Sequence, residues 1–176
     1  LLDGVPLYNV NHLGGFFSAF NSDAVKNITL YKGSFPAHFG GRLSSVLDIT
    51  TNNGNDKKLH GGVSVGAIAT KVYLEGPIIK EKTTFSVSAR RTYADALLQP
   101  FLGIASLGTD VATNAGYYFY DFNAKVTHKF NDRSRLFVSY YMGDDKVYAR
   151  LKTRDNYIPI FGDDYGNEKM YMKLGY

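Results

Sequence analysis

The sequence predicts a mainly β protein whose antiparallel strands are long enough to cross a membrane. Residues 118–130 read YFYDFNAKVTHKF and alternate without a break between an apolar, aromatic face and a mostly polar one, which only a β-strand sustains. A strand of a soluble sheet usually has about 5–6 residues, whereas a tilted strand that crosses a bilayer needs roughly 9–11. The 14 Tyr and 12 Phe of the chain also favour strands over helices.

Composition argues against several other classes of protein. The 176 residues include no Cys, so a disulfide framework and a thiolate metal site are excluded. The net charge of +4 is spread along the chain, which argues against a nucleic-acid partner. The four His show no ligand spacing and no nucleophile lies beside a base. We therefore expect no metal, no cofactor and no enzyme activity.

Residues 1–58 predict a small α+β region. In order, it contains a turn at Asp3-Gly4, a short helix over 23–26 capped by Asn21 or Ser22, a strand at 27–32, a Gly-rich passage at 33–41 and a strand at 45–50. Asn and Ser are favoured at a helix N-cap because their side-chain oxygen accepts a bond from a free backbone N–H.

From residue 58 onward the sequence predicts hairpins. Val63 and Val65 are apolar at odd positions, whereas Val72 and Leu74 are apolar at even positions. A one-residue slip moves every side chain to the other face of a sheet, so two strands must be separated by a tight turn at 66–69. Further strands are predicted at 83–95, 117–130, 135–143 or longer, and 169–176.

The connections between these strands alternate in length. Those at 79–82 and 131–134 are short, and those at 96–116 and 151–168 are long. Short turns on one side and longer loops on the other are typical of outer-membrane barrels. Arg91 falls on the apolar face, so we expect it near the membrane rim, where a lipid-facing Arg costs about 0–1 kcal/mol rather than about 2–4 at the midplane.

Three stretches in order carry a family resemblance. They are LLDGVPLYN at 1–9, DAVKNITLYKGSFPAHFGGRLSSVLDITTNNGN at 23–55, and the hairpins that follow. Together they resemble the C-terminal half of the plug and the first strands of a TonB-dependent outer-membrane receptor. The chain opens without a signal peptide and ends within an alternating strand, so we expect a fragment.

This resemblance implies two domains. Residues 1–58 correspond to the C-terminal part of the α+β plug domain, and residues 59–176 to the first strands of a transmembrane antiparallel β-barrel. Such a barrel has about 22 strands with a plugged lumen, and about six of them are expected in this chain. We expect Asp121, Asn123, Lys125 and Lys129 to face the plug from the inner side of the barrel.

The resemblance also implies a function. It predicts a ligand-gated active transporter in the outer membrane of a Gram-negative bacterium, importing a scarce nutrient such as a metal chelate, cobalamin, a glycan or a peptide. The implied partners are a TonB-type periplasmic energy-coupling protein, outer-membrane lipid, the nutrient itself and a surface lipoprotein that closes the barrel as a lid.

Candidate binding residues follow from the same resemblance. The stretch between the Asp-Gly turn and the helix corresponds to the plug apex, whose aromatic rings and amide groups suit a polar ligand. These candidates are Tyr8, Asn9, Asn11, His12, Phe16 and Phe17. For the two Phe, packing of the plug against the barrel is an equally good interpretation. Lys32 and Arg42 are candidates for ion pairs between plug and barrel, with a solvated loop charge as the alternative for Arg42.

Two other classes of protein remain open at this point. A small eight-stranded barrel, acting as a structural protein or porin, predicts hairpins from the first residue onward. A soluble carbohydrate-binding β-sandwich predicts that the apolar faces of the strands turn inward and the polar faces outward.

Overall fold

The structure is a computed structural model that describes residues 1–7, 11–12, 15, 17–18, 20–41, 44–107, 112–153, 156–161 and 169–175, with side chains described except at 112–113 and from 150 onward. Within these ranges the chain is mainly β, and its sheets are antiparallel. None of the described helices is both long and apolar enough to cross a membrane.

The chain begins with the tight turn expected at Asp3-Gly4. Leu2 and Val5 exchange two backbone hydrogen bonds of 2.9 Å across it. Asp3 and Gly4 both have positive φ, 48° and 79°, as the turns that suit a two-residue hairpin require. Leu2 also forms a parallel bridge with Ile49, which ties the first residues to the strand at Ser45–Thr51.

The rest of the N-terminal region consists of short elements, and the helix predicted over 23–26 is a 3-10 turn at Ser22–Ala24, because a strand already begins at Val25. These elements are β1 (Asn11–His12), β2 (Phe17–Ser18), a 3-10 helix (Ser22–Ala24), β3 (Val25–Lys32), a second 3-10 helix (Ala37–Phe39) and β4 (Ser45–Thr51). β1 pairs with β2 and β3 pairs with β4, both antiparallel. The side chain of Asn21 accepts a hydrogen bond from the backbone of Asp23 at 3.2 Å, so the predicted cap is confirmed.

The larger sheet contains seven strands. They are β5 (His60–Val65), β6 (Ala69–Ile79), β7 (Thr83–Thr92), β8 (Ala112–Asn131), β9 (Ser134–Thr153), β10 (Asn156–Phe161) and β11 (Lys169–Gly175). β5 to β9 pair in chain order, and β10 and β11 both pair with β9. The break at 66–68 lies where the change of phase predicted it, and β8 and β9 each run for 20 residues.

Two connections differ from the sequence prediction. Much of the stretch 96–116, expected to be a loop, forms α1 (Ala94–Ala105) and the beginning of β8. Pro100 lies inside this helix, and since Pro normally disrupts a helix interior, it obscured the helical spacing of the apolar residues. The stretch 151–168 was also expected to be a loop, but β9 continues to Thr153 and β10 follows.

The two faces of the larger sheet have opposite environments. The N-terminal region covers the face that carries Asp121 and Lys125, which are 2% and 4% exposed. The other face carries large apolar side chains that nothing covers among the described residues: Val63, Val65, Val72, Leu74, Ile78, Val126, Phe130 and Val138. Arg91 lies on this face with its guanidinium 5.2 Å from the ring centroid of Tyr118.

Candidate functional site

The candidate site is the junction between the N-terminal region and the larger sheet. The sheet residues buried there are mostly polar: Thr84, Ser88, Thr92, Phe119, Asp121, Asn123, Lys125, Thr127 and Tyr141. The apolar contribution is small and centres on Leu2, Ile49 and Tyr141. Polar and charged contacts between the two parts therefore dominate the junction.

His12 is the centre of one charged cluster in this junction. Its side chain is fully buried, and its Nε2 lies 2.7 Å from Oδ1 of Asp121. Its Nδ1 is hydrogen-bonded to Oδ1 of Asp145. The imidazole stacks on the ring of Phe119, with centroids 4.0 Å apart and planes 5° from parallel. The short hairpin of β1 and β2 is thus held to β8 and β9 through one histidine.

Asp121 contacts a second cation, Arg90, in addition to His12. Arg90 of β7 donates to Oδ2 of Asp121 through Nε at 2.7 Å and also through Nη2. Tyr141 donates to Oδ1 of the same carboxylate at 3.0 Å. Nη2 of Arg90 also donates to the backbone oxygen of Ser18 at 2.6 Å, so this guanidinium links β2 to the sheet directly.

The electrostatics of the cluster favour a charged imidazole. Burial lowers the pKa of His12, but its hydrogen bonds to Asp121 and Asp145 and their negative charges outweigh that effect, so its pKa is raised above the usual value of 6.5. The hydroxyl of Tyr117 donates a further bond of 3.1 Å to Asp145. The two carboxylates therefore favour the protonated form of His12.

A second charged contact ties the first turn of the chain to β8. Nζ of Lys125 lies 3.0 Å from Oδ1 of Asp3, and both side chains are almost fully buried. Asp3 also accepts hydrogen bonds from the backbone N–H and the hydroxyl of Thr51, at 3.0 and 2.5 Å. Lys125 further lies 4.6 Å from the ring centroid of Phe137. The carboxylate of Asp3 therefore joins the first turn of the chain to both β4 and β8.

Other contacts extend the junction along the sheet. Lys71 of β6 reaches both Asp23, at 3.3 Å, and the hydroxyl of Ser22, at 3.0 Å. Gly54 has a φ of 86° and lies so close to β7 that an added Cβ would be 2.3 Å from the backbone oxygen of Phe85. Only Gly tolerates that approach. The segment after β4 therefore runs against the sheet backbone.

The structure places some of the predicted binding residues and not others. Asn11 is exposed on β1, His12 is buried in the cluster, and Phe17 packs on Phe119 with centroids 5.4 Å apart. Tyr8, Asn9, Phe16 and Arg42 lie outside the described residues. Lys32 is exposed at the end of β3, beside Ser45 of β4, and its ion pair with the barrel stays a prediction.

Sequence reasoning identified only part of the cluster. Of the residues expected to face the N-terminal region, Asp121, Asn123 and Lys125 are buried against it, whereas Lys129 is half exposed and pairs with Asp132. Arg90, Tyr117, Tyr141 and Asp145 were not singled out for the junction. These residues lie on the same face of the sheet as Asp121. That shared face could have predicted their contacts, but only with knowledge of the strand register.

Comparisons with known proteins identify no relative. No protein-family model matches the chain, and neither a curated protein nor a solved structure matches it. Within the described residues, no group of His, Asp and Glu side chains is arranged to hold a metal ion.

Proposed function

We propose that this chain is part of a ligand-gated active transporter of the outer membrane, with residues 59–176 as barrel wall and residues 1–58 as plug. One observation carries the proposal: the covered face of the large sheet is polar, and the opposite face is mostly apolar, with charged side chains at Arg91, Asp144 and Lys146. A soluble sheet has the opposite arrangement, with its apolar face on the core. A sheet that stands between lipid and a polar interior matches this one.

The exposed fractions make the contrast quantitative. On the uncovered face Val65, Val63 and Phe130 are 75%, 71% and 63% exposed, whereas Asp121 on the covered face is 2% exposed. Leaving apolar surface in water forgoes roughly 25 cal/mol for each Å² that could be buried. Lipid removes that cost without any further protein layer, so a bilayer is the environment that suits this face.

Strand length supports the same environment. β8 and β9 have 20 residues each, well beyond the roughly 9–11 that a tilted strand needs to cross a bilayer. Their connection is short, and the opposite ends lead to α1 and to β10. Short turns on one side and long, structured extensions on the other suit a barrel with a periplasmic and an external end.

The junction supports a movable plug rather than a permanent core. Interfaces between domains that move are smaller and more polar than the interiors of domains. Here the contacts are ion pairs and hydrogen bonds centred on His12, Lys71 and Lys125, with only a small apolar cluster. Such contacts can be exchanged for water when the plug moves, which an apolar core could not do cheaply.

In this proposal a nutrient binds from outside, and a periplasmic TonB-type protein supplies the energy that moves the plug. Asn11 lies exposed on the β1–β2 hairpin, where the ligand is expected. His12 reaches a ligand only if the hairpin leaves the sheet, because both of its ring nitrogens are engaged. A surface lipoprotein lid remains part of the proposal. The proposal covers a metal chelate, cobalamin, a glycan or a peptide as the nutrient.

A charge on the apolar face tests this proposal. Val126 is 43% exposed, so in a soluble protein Val126→Lys would change stability by within about 0.5 kcal/mol. If residue 126 faces lipid near the midplane of the bilayer, the same substitution costs about 2–4 kcal/mol. We expect the unsubstituted protein in the outer-membrane fraction with heat-dependent migration in detergent gels, and we expect Val126→Lys to reduce its amount there several-fold.

The matched control is Ser134→Lys, which adds the same charge at the exposed first residue of β9. It is expected to assemble like the unsubstituted protein. Recovery of the unsubstituted protein in the soluble fraction without detergent, or full assembly of Val126→Lys, would contradict the proposed function.

A further inference from the structure

We propose that the β1–β2 hairpin is a proton-dependent latch, in which a doubly protonated His12 between Asp121 and Asp145 holds the hairpin on the sheet and loss of one proton releases it. The latch itself rests on the geometry of the cluster. Only its role in gating a transport path rests on the proposed function.

The protonation state follows from the hydrogen-bond geometry. An ionised carboxylate can only accept hydrogen bonds, and each ring nitrogen of His12 faces a different carboxylate oxygen. Both nitrogens must therefore donate, which only the imidazolium form does. In the neutral form one nitrogen would present its lone pair to a carboxylate oxygen in a buried site.

The second proton of His12 balances the negative charges around it. Arg90 faces the cluster from β7, Asp121 and Tyr117 from β8, and Asp145 and Tyr141 from β9. The two tyrosines are neutral donors, so two cations oppose two carboxylates in the described part of the cluster. Loss of the His12 proton leaves an excess negative charge, most of it buried, which is strongly unfavourable unless the cluster opens.

The strands of the hairpin are too short to be stable by themselves. β1 and β2 have two residues each, and an isolated hairpin even of normal length is marginally stable in water. Its contacts with the sheet also include the ring contact of Phe17 with Phe119 and the bond from Arg90 to Ser18. Release of His12 therefore removes the contacts that hold β1 to Asp121 of β8 and Asp145 of β9.

The direction of the pH dependence is fixed by the sign of the shift. Because the folded-state pKa of His12 lies above its usual 6.5, the stabilisation is fully present below about 6.5 and is lost as the pH rises through the raised value. The latch is closed in acid and opens toward alkaline pH. Opening exposes His12 and uncovers Phe119 and Asp121 on the sheet.

A spin label on the hairpin tests the latch. The chain has no Cys, so Asn11→Cys gives one attachment site on an exposed residue. We expect the label to be immobile at pH 5 and to become mobile through a single transition with a midpoint above pH 6.5. Asp145→Asn removes one neighbouring charge, and the midpoint is expected to fall by about 1–3 units.

Two substitutions at position 12 distinguish the effect of the positive charge from the effect of the histidine side chain itself. His12→Gln cannot carry a charge, so the label is expected to be mobile at every pH. His12→Lys keeps its charge up to about pH 10, so the transition should disappear from the range 5–9. His38→Gln, an exposed histidine of the second 3-10 helix, is the control and should leave the midpoint unchanged.

The outcomes distinguish a failure of the proposed latch from a failure of the proposed transporter function. A label that stays immobile from pH 5 to 9, or a midpoint that Asp145→Asn leaves unchanged, overturns the latch even in a protein that assembles in the outer membrane. A normal transition in a protein recovered from the soluble fraction supports the latch and contradicts only the proposed function.

Discussion

Asp121→Ala is expected to lower the free energy of unfolding by about 3–5 kcal/mol, the usual cost of removing one partner from a buried ion pair. Asp121 accepts bonds from His12, Arg90 and Tyr141, so one change leaves three donors without that acceptor. The guanidinium of Arg90 is only 11% exposed and would keep its charge. Since whole domains are stable by about 5–15 kcal/mol, this is a large fraction of the total.

Denaturant unfolding in detergent, followed by tyrosine fluorescence, measures this effect. The control is Asp132→Ala, which removes a carboxylate that is 94% exposed and paired with Lys129. Exposed pairs of this kind contribute little, so the midpoint of the control should not move. Equal effects of the two substitutions would show that the buried cluster does not stabilise the junction.

Lys125→Met is expected to have the second largest effect, about 3 kcal/mol, at the lower end of the range for breaking a buried pair. Methionine is similar in length but carries no charge, so the carboxylate of Asp3, 2% exposed, loses its nearby cation. Thr51 continues to donate to Asp3 through its backbone and hydroxyl, which limits the loss. The same unfolding experiment measures it.

A second substitution distinguishes lost charge pairing from lost packing. Adding Asp3→Asn to Lys125→Met removes the unpaired negative charge, so the double variant should recover part of the stability. Lys129→Met, four residues further along β8 and half exposed, is the control with little expected effect. If Asp3→Asn and Lys125→Met destabilise additively, the two side chains do not act as a pair.

Local patterns predicted much of the fold. The Asp3-Gly4 turn, the cap at Asn21 and the break after Val65 each depend on a few neighbouring residues, and the structure contains all three. The helix α1 was missed because Pro100 and Gly103 interrupt a spacing that is otherwise helical. The first residues of β8, 112–116, were expected to be loop because Gly116 interrupts the alternation, and the end of β9 beyond residue 143 was left open because Asp144 interrupts it.

The cluster at the junction could not be predicted in full, because it joins residues far apart in sequence. His12 is 109 residues from Asp121 and 133 from Asp145. Alternation placed Asp121 on the inner face, but pairing it with Arg90 and with Asp145 requires the register of β7, β8 and β9. The sequence named His12 as a candidate for ligand binding, and only the three-dimensional arrangement shows its contacts with the sheet.

The central claim is that the apolar face of the large sheet meets lipid. A fluorophore on Val126→Cys, in a protein reconstituted into bilayers whose acyl chains carry a quencher, tests it most directly. We predict strong quenching there and none for the same label on Lys26→Cys, an exposed position of β3 in the proposed plug. A Val126 label quenched by aqueous iodide but not by the lipid chains would contradict the account.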